Sequence, residues 1–224
     1  MTSTFQRARR PEQLAARRSA ILAAARTALA DRRVDEVTLR DISEGVGLAK
    51  SNVLRYFDSR EAIFLELLDE ECRDWLAELS DALGRPRARK PGYTNEIRIA
   101  TTIAETLAAR QLMCELLGAM AGVLERNISV EFARDFKLRA MANITALSEL
   151  VGAQLPWLPA EFTGFIGEAI LMLAAGMYPF SVPTEAVRQA MEELDFPDPG
   201  CRFREGLQTG LTTWLIGASA QHPA

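Results

Sequence analysis

Helical periodicity runs through almost the whole chain of 224 residues and limits what it can fold into. In residues 12–31, Leu14, Ile21, Leu22 and Leu29 recur at the spacing of one face of an amphipathic α-helix. No segment alternates apolar and polar residues between turn signals, as a half-buried strand would. The pattern therefore predicts an all-α fold of about nine or ten helices.

Glycine and proline residues divide this pattern into segments. Residues 84–92 (GRPRARKPG) hold two Gly, two Pro and four basic residues, which predicts a loop. Asp58 and Glu61 have the spacing of an N-cap and its third helical residue, so Asp58 is predicted to open a long helix. Pro179 is predicted to end the helix over 160–178. The other predicted helices are 38–46, 49–57, 93–110, 111–126, 129–155, 184–194 and 202–218, with a turn at 196–200.

Charge is distributed unevenly along the chain. Residues 1–60 hold 12 Lys/Arg and 7 Asp/Glu, a net charge of +5, whereas residues 61–224 hold 14 and 23, a net charge of −9. The whole chain has a net charge of −4. A mildly acidic chain with a basic N-terminal quarter suggests a separate anion-binding module, although chance scatter of charge could give the same figures.

Composition excludes several classes of protein. The three Cys residues, Cys72, Cys114 and Cys201, are far apart, and the single His is His222. A disulfide framework, a metal site and a histidine-based active site are therefore not expected, and no cofactor is predicted. The longest strictly apolar runs, such as 170–175, are too short to cross a bilayer, and no apolar stretch follows the basic N-terminus. These features predict a cytoplasmic protein without membrane contact.

Residues 38–57 (TLRDISEGVGLAKSNVLRYF) have the pattern of a helix, a glycine-containing turn and a short second helix. Thr38 and Asp41 have capping-box spacing at the start of the first helix. Gly47 allows a tight turn without a Cβ clash. A helix-turn-helix that places its second helix in the major groove of DNA has this arrangement.

The start of the second helix carries the side chains that suit DNA. Lys50 can meet phosphate or guanine, Asn52 can pair with adenine, and Ser51 can serve either role. A helical hairpin with ordinary polar surface residues would have the same sequence pattern. The spacing alone therefore leaves both interpretations open.

Residues 17–68 resemble the N-terminal domain of the TetR family of transcriptional repressors, in the same order and with the same spacing. The matching residues are Arg18, residues 21–25, Thr38, Ile42, residues 45–48, Lys50, Tyr56, Phe57, Arg60 and Glu61. The resemblance implies that Thr38 caps the second helix and contacts a phosphate, that Tyr56 reaches the DNA backbone while Phe57 packs inside, and that Arg60 contacts phosphate. The implied DNA-binding residues are Thr38, Ala49, Lys50, Ser51, Asn52, Arg55, Tyr56 and Arg60.

Four positions depart from the family pattern. Leu54 stands where Tyr is frequent, which removes a phosphate-contacting hydroxyl, and Arg60 replaces the commoner Lys. Ala49 and Asn52 stand where Ser and Thr are frequent. These departures bear on the operator sequence that would be preferred.

The N-terminal arm, MTSTFQRARRP, carries Arg7, Arg9 and Arg10. It is expected to be disordered, and either to enter a flanking minor groove or to be a solvated tail. The domain prediction is then a helix-turn-helix domain with this arm over residues 1–60. A helical effector-binding and dimerisation domain is predicted over residues 61–224.

Two predicted helices, 160–178 and 202–218, have apolar faces broader than a surface helix needs. The resemblance implies that such helices form a four-helix bundle across a two-fold axis. Packing within one chain would explain the same faces. Glycines that would permit close approach are Gly164, Gly167, Gly176, Gly206, Gly210 and Gly217. The predicted interface residues are Phe162, Phe165, Ile166, Ala169, Leu173, Leu207, Leu211 and Trp214.

The resemblance also implies an effector pocket among the central helices. Met and aromatic side chains suit an adaptable apolar cavity, although such residues also form ordinary core. The candidate wall residues are Trp75, Ile103, Leu107, Met113, Leu117, Met120, Phe132, Phe136 and Met172. The expected effector is a largely apolar small molecule.

These observations predict a homodimeric repressor that binds a palindromic operator and is released by a small-molecule effector. An all-α enzyme is a weaker alternative, because the sequence has no HExxH, GxSxG or P-loop motif. A helical adaptor that binds only protein is a further alternative. It would be expected to have a neutral or acidic N-terminal quarter, and the count is +5.

Overall fold

The computed structural model describes residues 3–197 and 199–222, with side chains from residue 12 onward except at position 201. Within those residues all regular elements are helical, which confirms the predicted all-α fold. Short turns of 3₁₀ and π geometry lie at Pro91–Tyr93 and Met120–Leu124. The α-helices are α1 (Ser3–Ala28), α2 (Leu39–Gly45), α3 (Lys50–Val53), α4 (Arg60–Leu83), α5 (Thr94–Ala108), α6 (Gln111–Ala119), α7 (Val130–Gln154), α8 (Ala160–Ser181), α9 (Glu185–Glu193) and α10 (Pro199–Gln221).

The chain forms two compact units. The first comprises the N-terminal residues to Glu70 together with Ala119–Lys137. The second comprises Glu71–Gly118 and the residues from Leu138 to the C-terminus. The first unit thus extends past residue 60 and takes in a distant segment, which sequence periodicity alone does not reveal. The predicted boundary at residue 60 stays a prediction.

The first unit is built on the apolar stripe of α1. Ile21 is fully buried and Leu22 and Leu29 are nearly so, while Leu14 is 55% exposed. The helix begins at Ser3 and not near residue 12, which corrects the expectation of a disordered arm. The side chains of Arg7, Arg9 and Arg10 lie outside the described residues.

The turn before α4 differs from the prediction by one residue. Ser59, not Asp58, caps the helix, because its Oγ accepts from the Ala62 amide at 3.0 Å. Asp58 instead accepts a hydrogen bond from Ser129 Oγ at 2.6 Å. Two adjacent residues with similar capping preference cannot be told apart from spacing alone.

Pro179 lies inside α8, which continues to Ser181, so the predicted helix end at this residue is wrong. Proline at this position leaves the Ala175 carbonyl without its helical donor. Gly118 of α6 lies directly against this region, where an added Cβ would be 3.0 Å from Pro179 Cγ and 3.5 Å from Ala175 O. Glycine at position 118 thus lets α6 approach one side of Pro179, whose other side is exposed.

The remaining helix limits differ from prediction by smaller amounts. Lys50–Val53 is shorter than the predicted 49–57, because the residues after Val53 continue as turns. The segment after α6 ends in a π turn, Met120–Leu124. The last helix begins at Pro199, three residues before the predicted start. Proline is favourable in the first turn of a helix, where its missing donor is not needed.

The second unit has a packed apolar interior and a fixed loop. Arg98 donates to the Leu83 carbonyl at 3.1 Å and to Gln154 Oε1 at 2.8 Å. Gln154 Nε2 in turn donates to Gly84 O at 2.8 Å. Asn95, itself 2% exposed, donates to the carbonyls of the loop at positions 87 and 88. The basic segment is therefore a loop over residues 84–90, largely as predicted, with its last two residues in the 3₁₀ turn. Hydrogen bonds hold its backbone at residues 84, 87 and 88.

Helix α8 is long and apolar enough to cross a membrane by length and composition, with a mean hydropathy of 1.4. The expectation that no segment is long and apolar enough to cross a bilayer is therefore wrong. Uninterrupted apolar runs do not reveal such a helix, because small or polar residues can be interspersed in a long hydrophobic helix. Only 22% of the most apolar stretch of α8 is buried in the single chain.

Candidate DNA-binding site

The start of α2 has the capping box that the sequence predicts. Asp41 N donates to Thr38 Oγ1 at 3.3 Å, and Thr38 N donates to Asp41 Oδ2 at 2.7 Å. The hydrogen bond from the Thr38 hydroxyl, then that from its amide, and a weaker effect of Arg32 lower the pKa of Asp41 to about 2. The carboxylate is therefore charged and anchored across the pH range in which DNA is bound.

The turn between α2 and α3 is a Schellman motif. Gly47 has a positive φ of 68° and donates to Glu44 O at 3.1 Å. Leu48 donates to Ser43 O at 2.9 Å. These are the two hydrogen bonds that close a helix through a left-handed residue. Any other residue at position 47 would be strained at this positive φ. Glycine therefore permits the tight turn that sets the angle at which the chain enters α3.

Helix α3 buries one side and exposes the other. Val53 is fully buried and Phe57 is 4% exposed, so both hold the segment on the core. The predicted DNA-binding residues of this segment lie on the side that faces away from the core, or next to that side. Ala49, Lys50, Ser51, Asn52 and Arg55 are exposed, and Tyr56 is half-buried.

Arg18 of α1 holds the end of the recognition segment, residues 49–57, in place. Its Nη1 donates to Tyr56 O at 2.5 Å, and its Nη2 pairs with Glu66 Oε1 of α4 at 3.2 Å. Its guanidinium also lies 4.2 Å from the centre of the Phe57 ring. The sequence pattern included Arg18 only as a family match and did not assign it this positioning role, since its partners are 38 or more residues away.

Arg60 has internal partners for most of its guanidinium. Nη1 donates to Val37 O at 2.8 Å, and Nη2 lies 2.8 Å from Glu61 Oε1. The side chain is 20% exposed. Because Val37 precedes the Thr38 cap, Arg60 ties the start of α4 to the start of α2. The phosphate contact implied for Arg60 stays a prediction, and it would have to compete with these bonds.

An open depression of about 850 Å³ adjoins the end of the recognition segment. Two arginines, Arg17 and Arg55, lie on its wall with Tyr56, so the depression is basic as well as partly apolar. Arg17 was not identified from the sequence, where only its neighbour Arg18 matches a family position. The lining residues are Gln13, Leu14, Ala16, Arg17, Ala20, Arg55 and Tyr56.

Two family models match successive parts of the chain. Residues 21–67 match the model described as bacterial regulatory proteins of the tetR family. Residues 69–222 match the model described as the tetracyclin repressor-like C-terminal domain. The chain belongs to the TetR family. It is a DNA-binding transcriptional regulator and not an enzyme, as the sequence predicts.

Solved structures show the same fold at low sequence identity. A putative TetR-family regulator from Mesorhizobium loti has a TM-score of 0.53 at 12% identity, covering 94% of this chain and 98% of its own. FadR from Bacillus subtilis, in complex with stearoyl-CoA, has a TM-score of 0.52 at 11% identity, with coverages of 89% and 98%. The TetR family repressor AlkX from a Dietzia strain has a TM-score of 0.50 at 19% identity, with coverages of 90% and 96%. No curated protein sequence matches this chain significantly.

The candidate effector residues of this TetR-family chain fall in both units. Five of them, Trp75, Ile103, Leu107, Met113 and Leu117, are buried in the second unit. Trp75 Nε1 donates to Thr106 Oγ1 at 3.0 Å, which places one polar contact in this apolar group.

The other four candidates have different surroundings. Phe132 and Phe136 stack in the first unit with ring centres 6.4 Å apart, and Met120 lies in the same unit. Met172 is 59% exposed on α8, so it is not part of the buried group. Apolar character predicted both the buried Phe136 and the exposed Met172, because it does not distinguish an interior wall from an outer face.

The predicted interface residues fall into three groups. Ile166, Leu207 and Leu211 are at most 1% exposed in the single chain, so they are buried within it. Their place in a dimer interface stays a prediction. Phe162 and Trp214 face each other within the chain, with ring centres 5.1 Å apart. The remaining residues are accessible: Phe165 is 51% exposed, and Ala169 and Leu173 are half-buried.

The glycines of α8 and α10 divide in the same way. An added Cβ at Gly167 would lie 2.4 Å from Ile144 O, and one at Gly206 would lie 2.4 Å from Met177 Cε. At Gly210 the nearest atom, Leu173 Cδ2, would be 3.3 Å away. These three glycines serve packing inside the chain. Gly164, Gly176 and Gly217 meet nothing within 4 Å.

Proposed function

We propose that this regulator is a homodimeric repressor that binds a palindromic operator with two copies of α3 and releases it when a small-molecule effector binds. The observation that carries the DNA-binding part is the row of exposed polar residues on α3, supported from behind by Val53 and Phe57. A rigid helix that offers Lys50, Ser51 and Asn52 to solvent has the shape and the donors needed in a major groove.

The proposed DNA contacts extend to both sides of α3. Thr38 and Tyr56 would bond phosphates, as would Arg55, which is exposed beside the basic depression. Phosphate contacts of this kind fix the position of the reader while α3 specifies bases. Ala49 offers a methyl group, which suits a thymine contact.

The homodimer is supported by the outer face of α8. Phe165, Met172 and Phe180 are 51, 59 and 83% exposed, and all three lie on one side of that helix. Several large apolar side chains exposed along one helix face are typical of an interaction site. A two-fold axis beside α8 would bring two readers to the two halves of one operator, which is why a palindrome is proposed.

The effector is proposed to be largely apolar. Trp75, Ile103 and Met113 are buried apolar side chains of the second unit, and Trp75 has one hydroxyl contact, with Thr106. Two of the similar structures carry names that point the same way: the Bacillus subtilis FadR is in complex with stearoyl-CoA, and AlkX is implicated in the biodegradation of n-alkanes. A ligand that prefers one conformation would shift the spacing of the two readers and lower operator affinity. We place this activity in the cytoplasm.

A gel-shift assay with the DNA upstream of the protein's own gene tests the proposal. Sequence-preferring binding that weakens with salt is expected. The variant Lys50→Ala/Asn52→Ala should lose specific binding while keeping its helical circular dichroism. The control Lys90→Ala/Asn127→Ala removes the same two residue types at exposed positions elsewhere and should bind as the unmodified protein does.

Two results would contradict the proposal. Absence of any salt-sensitive binding at near-physiological ionic strength would favour a protein-binding adaptor. Equal loss of binding in both double variants would mean that charge alone is responsible and that α3 does not read the bases. Apolar candidate ligands can be screened by thermal shift, where a true effector raises Tm and lowers operator affinity together.

A further inference from the structure

Helix α9 is amphipathic, but none of its residues is buried in its own chain and only Met191 is half-buried. Val187, Ala190, Met191 and Leu194 follow the spacing of one helical face. None of the residues of Glu185–Glu193 is buried, and Val187 and Leu194 are 49 and 64% exposed. An isolated helix of this length is marginal in water, because most helical stability in proteins comes from packing an apolar face.

The end of α9 adds a fifth residue to that face. Asp195 has a positive φ of 54°, and Phe196 N donates to Met191 O at 2.9 Å. This hydrogen bond closes a Schellman-type helix end, in which the residue after the left-handed one folds back on the last turn. Phe196 is thereby directed toward the side of Met191, and it is 58% exposed.

The opposite face of α9 is already satisfied with polar contacts. Arg188 pairs with Glu185 and with Glu192 along the helix. Gln189 Nε2 donates to Glu193 Oε1 at 3.3 Å. These local pairs keep the charged side toward water, so the side left to be covered is the apolar one, and it calls for an apolar partner surface.

Exposed surface continues from α8 into α9. Phe180, near the end of α8, is 83% exposed, and Val182 in the connection is 36% exposed. The three large exposed side chains of α8 offer on the order of 400 Å² of apolar surface. A standard interface buries about 800 Å² on each partner, of which roughly 450–500 Å² is apolar, so the three α8 side chains account for most but not all of that apolar area. The face of α9 with Phe196 adds on the order of 350 Å², which brings the apolar surface to that of a standard or larger interface.

We propose that α9 is a dimerisation arm, whose apolar face packs on a second copy of this chain and extends the α8 contact. This inference rests on the proposed homodimer. A second copy is the occupant because the α9 face continues the surface proposed for the two-fold contact. Each subunit then contributes one arm, and the apolar surface of α8 and α9 together reaches that of a standard interface or more.

The test compares two double variants of α9. Val187→Ser/Leu194→Ser removes the apolar face, whereas Gln189→Ser/Glu193→Ser introduces the same residue on the polar face. Sedimentation equilibrium over a range of concentrations measures the dimer Kd. The apolar-face variant should raise the Kd by about 100-fold or more, since two subunits each lose two buried side chains. The polar-face variant should stay within about threefold.

Further measurements keep the result interpretable. Because α9 has no buried side chain of its own, both variants should keep the helical circular dichroism of the unmodified protein at dilutions where all are monomers. Amide hydrogen exchange should show residues 185–194 protected in the dimer and less protected in the monomer. The variant Phe165→Ser/Met172→Ser tests the α8 face separately.

The outcomes separate this inference from the proposed function. If the α8 variant dissociates while Val187→Ser/Leu194→Ser remains as tight a dimer as the unmodified protein, the arm is refuted and the homodimer stands. Unprotected α9 amides in the dimer would refute the arm as well. A protein that is monomeric at every concentration would overturn both.

Discussion

Asp58, in the turn between α3 and α4, accepts a hydrogen bond from Ser129 Oγ at 2.6 Å. Ser129 also caps α7, because its Oγ accepts from the Phe132 amide at 3.2 Å. One hydroxyl therefore joins the end of the DNA-reading segment to the start of a helix that continues into the second unit. Both residues belong to the first unit, so the pair holds the start of α7 to the turn between α3 and α4.

Substitutions at the two ends of this hydrogen bond should lower the free energy of unfolding by different amounts. Asp58→Ala removes one hydrogen bond and should destabilise the protein by about 0.5–1.5 kcal/mol. Ser129→Ala removes that bond and the cap of α7, and should cost about 1–2 kcal/mol more. Urea unfolding measures both. Equal losses would mean that the cap carries no energy, and a smaller loss for Ser129→Ala would contradict the described geometry.

Asp41 should give the folded protein a dependence on acid pH. Its pKa of about 2 in the fold lies below the ordinary value of 3.8. A lowered folded pKa stabilises the fold above the ordinary pKa, and this stabilisation is lost as pH falls from about 4 toward 2. Urea unfolding at stepped pH should therefore show a steeper loss for the unmodified protein than for Asp41→Asn. Parallel curves would show that the Thr38 bonds do not hold the carboxylate in solution.

Arg18 should influence DNA binding without needing to touch DNA. Arg18→Ala removes the bonds to Tyr56 and Glu66 and should destabilise the fold by about 1.5–3 kcal/mol. Operator affinity should fall because Tyr56 and Arg55 lose their support. Arg18→Lys should recover only part of either quantity, since a Lys cannot make both bonds in the same plane.

Lys50→Ala is the contrast to Arg18→Ala. Lys50 is exposed on α3, so its removal should lower operator affinity and leave the urea midpoint unchanged. A loss of affinity in Arg18→Ala without any loss of stability would assign Arg18 to direct DNA contact instead. Gel shifts and unfolding curves on the same preparations decide between these roles.

Cys114 should be unreactive in the folded protein. It is fully buried, and burial raises the pKa of its thiol to about 12. At pH 8 the reactive thiolate is therefore scarce, and reagent cannot reach the sulfur. Mass spectrometry after iodoacetamide treatment should find the Cys114 peptide unmodified in buffer and modified in urea. Labelling in buffer at the rate of a free thiol would indicate that the α5–α6 packing opens.

Local sequence was sufficient for the parts of the site that depend on near neighbours. Thr38 and Asp41 are three residues apart, and Gly47 sits in its own turn, so both could be predicted and both are confirmed. The role of Arg18 could not, because it depends on partners that only the folded chain brings near. A capping signal also failed to separate Asp58 from Ser59.

Periodicity likewise identified the apolar helices but not what covers each face. Ile166 and Phe165 are adjacent and both apolar, yet one is fully buried and the other is 51% exposed. Pro179 was predicted to stop α8 from its local chemistry, but the helix continues to Ser181. Such outcomes depend on tertiary contacts, which a single sequence specifies only through the whole fold.

Two glycines of α8 should respond oppositely to the same change. At Gly167 an added Cβ would lie 2.4 Å from Ile144 O and 2.7 Å from Ser148 Oγ, so Gly167→Ala should force α7 and α8 apart and cost about 1–3 kcal/mol. At Gly164 nothing lies within 4 Å, so Gly164→Ala should stabilise the monomer by about 0.5–1 kcal/mol through better helix propensity. Urea unfolding of both variants at low concentration checks this. If Gly167→Ala were as stable as the unmodified protein, α7 and α8 would have to lie farther apart than the 2.4 Å between an added Cβ and Ile144 O implies.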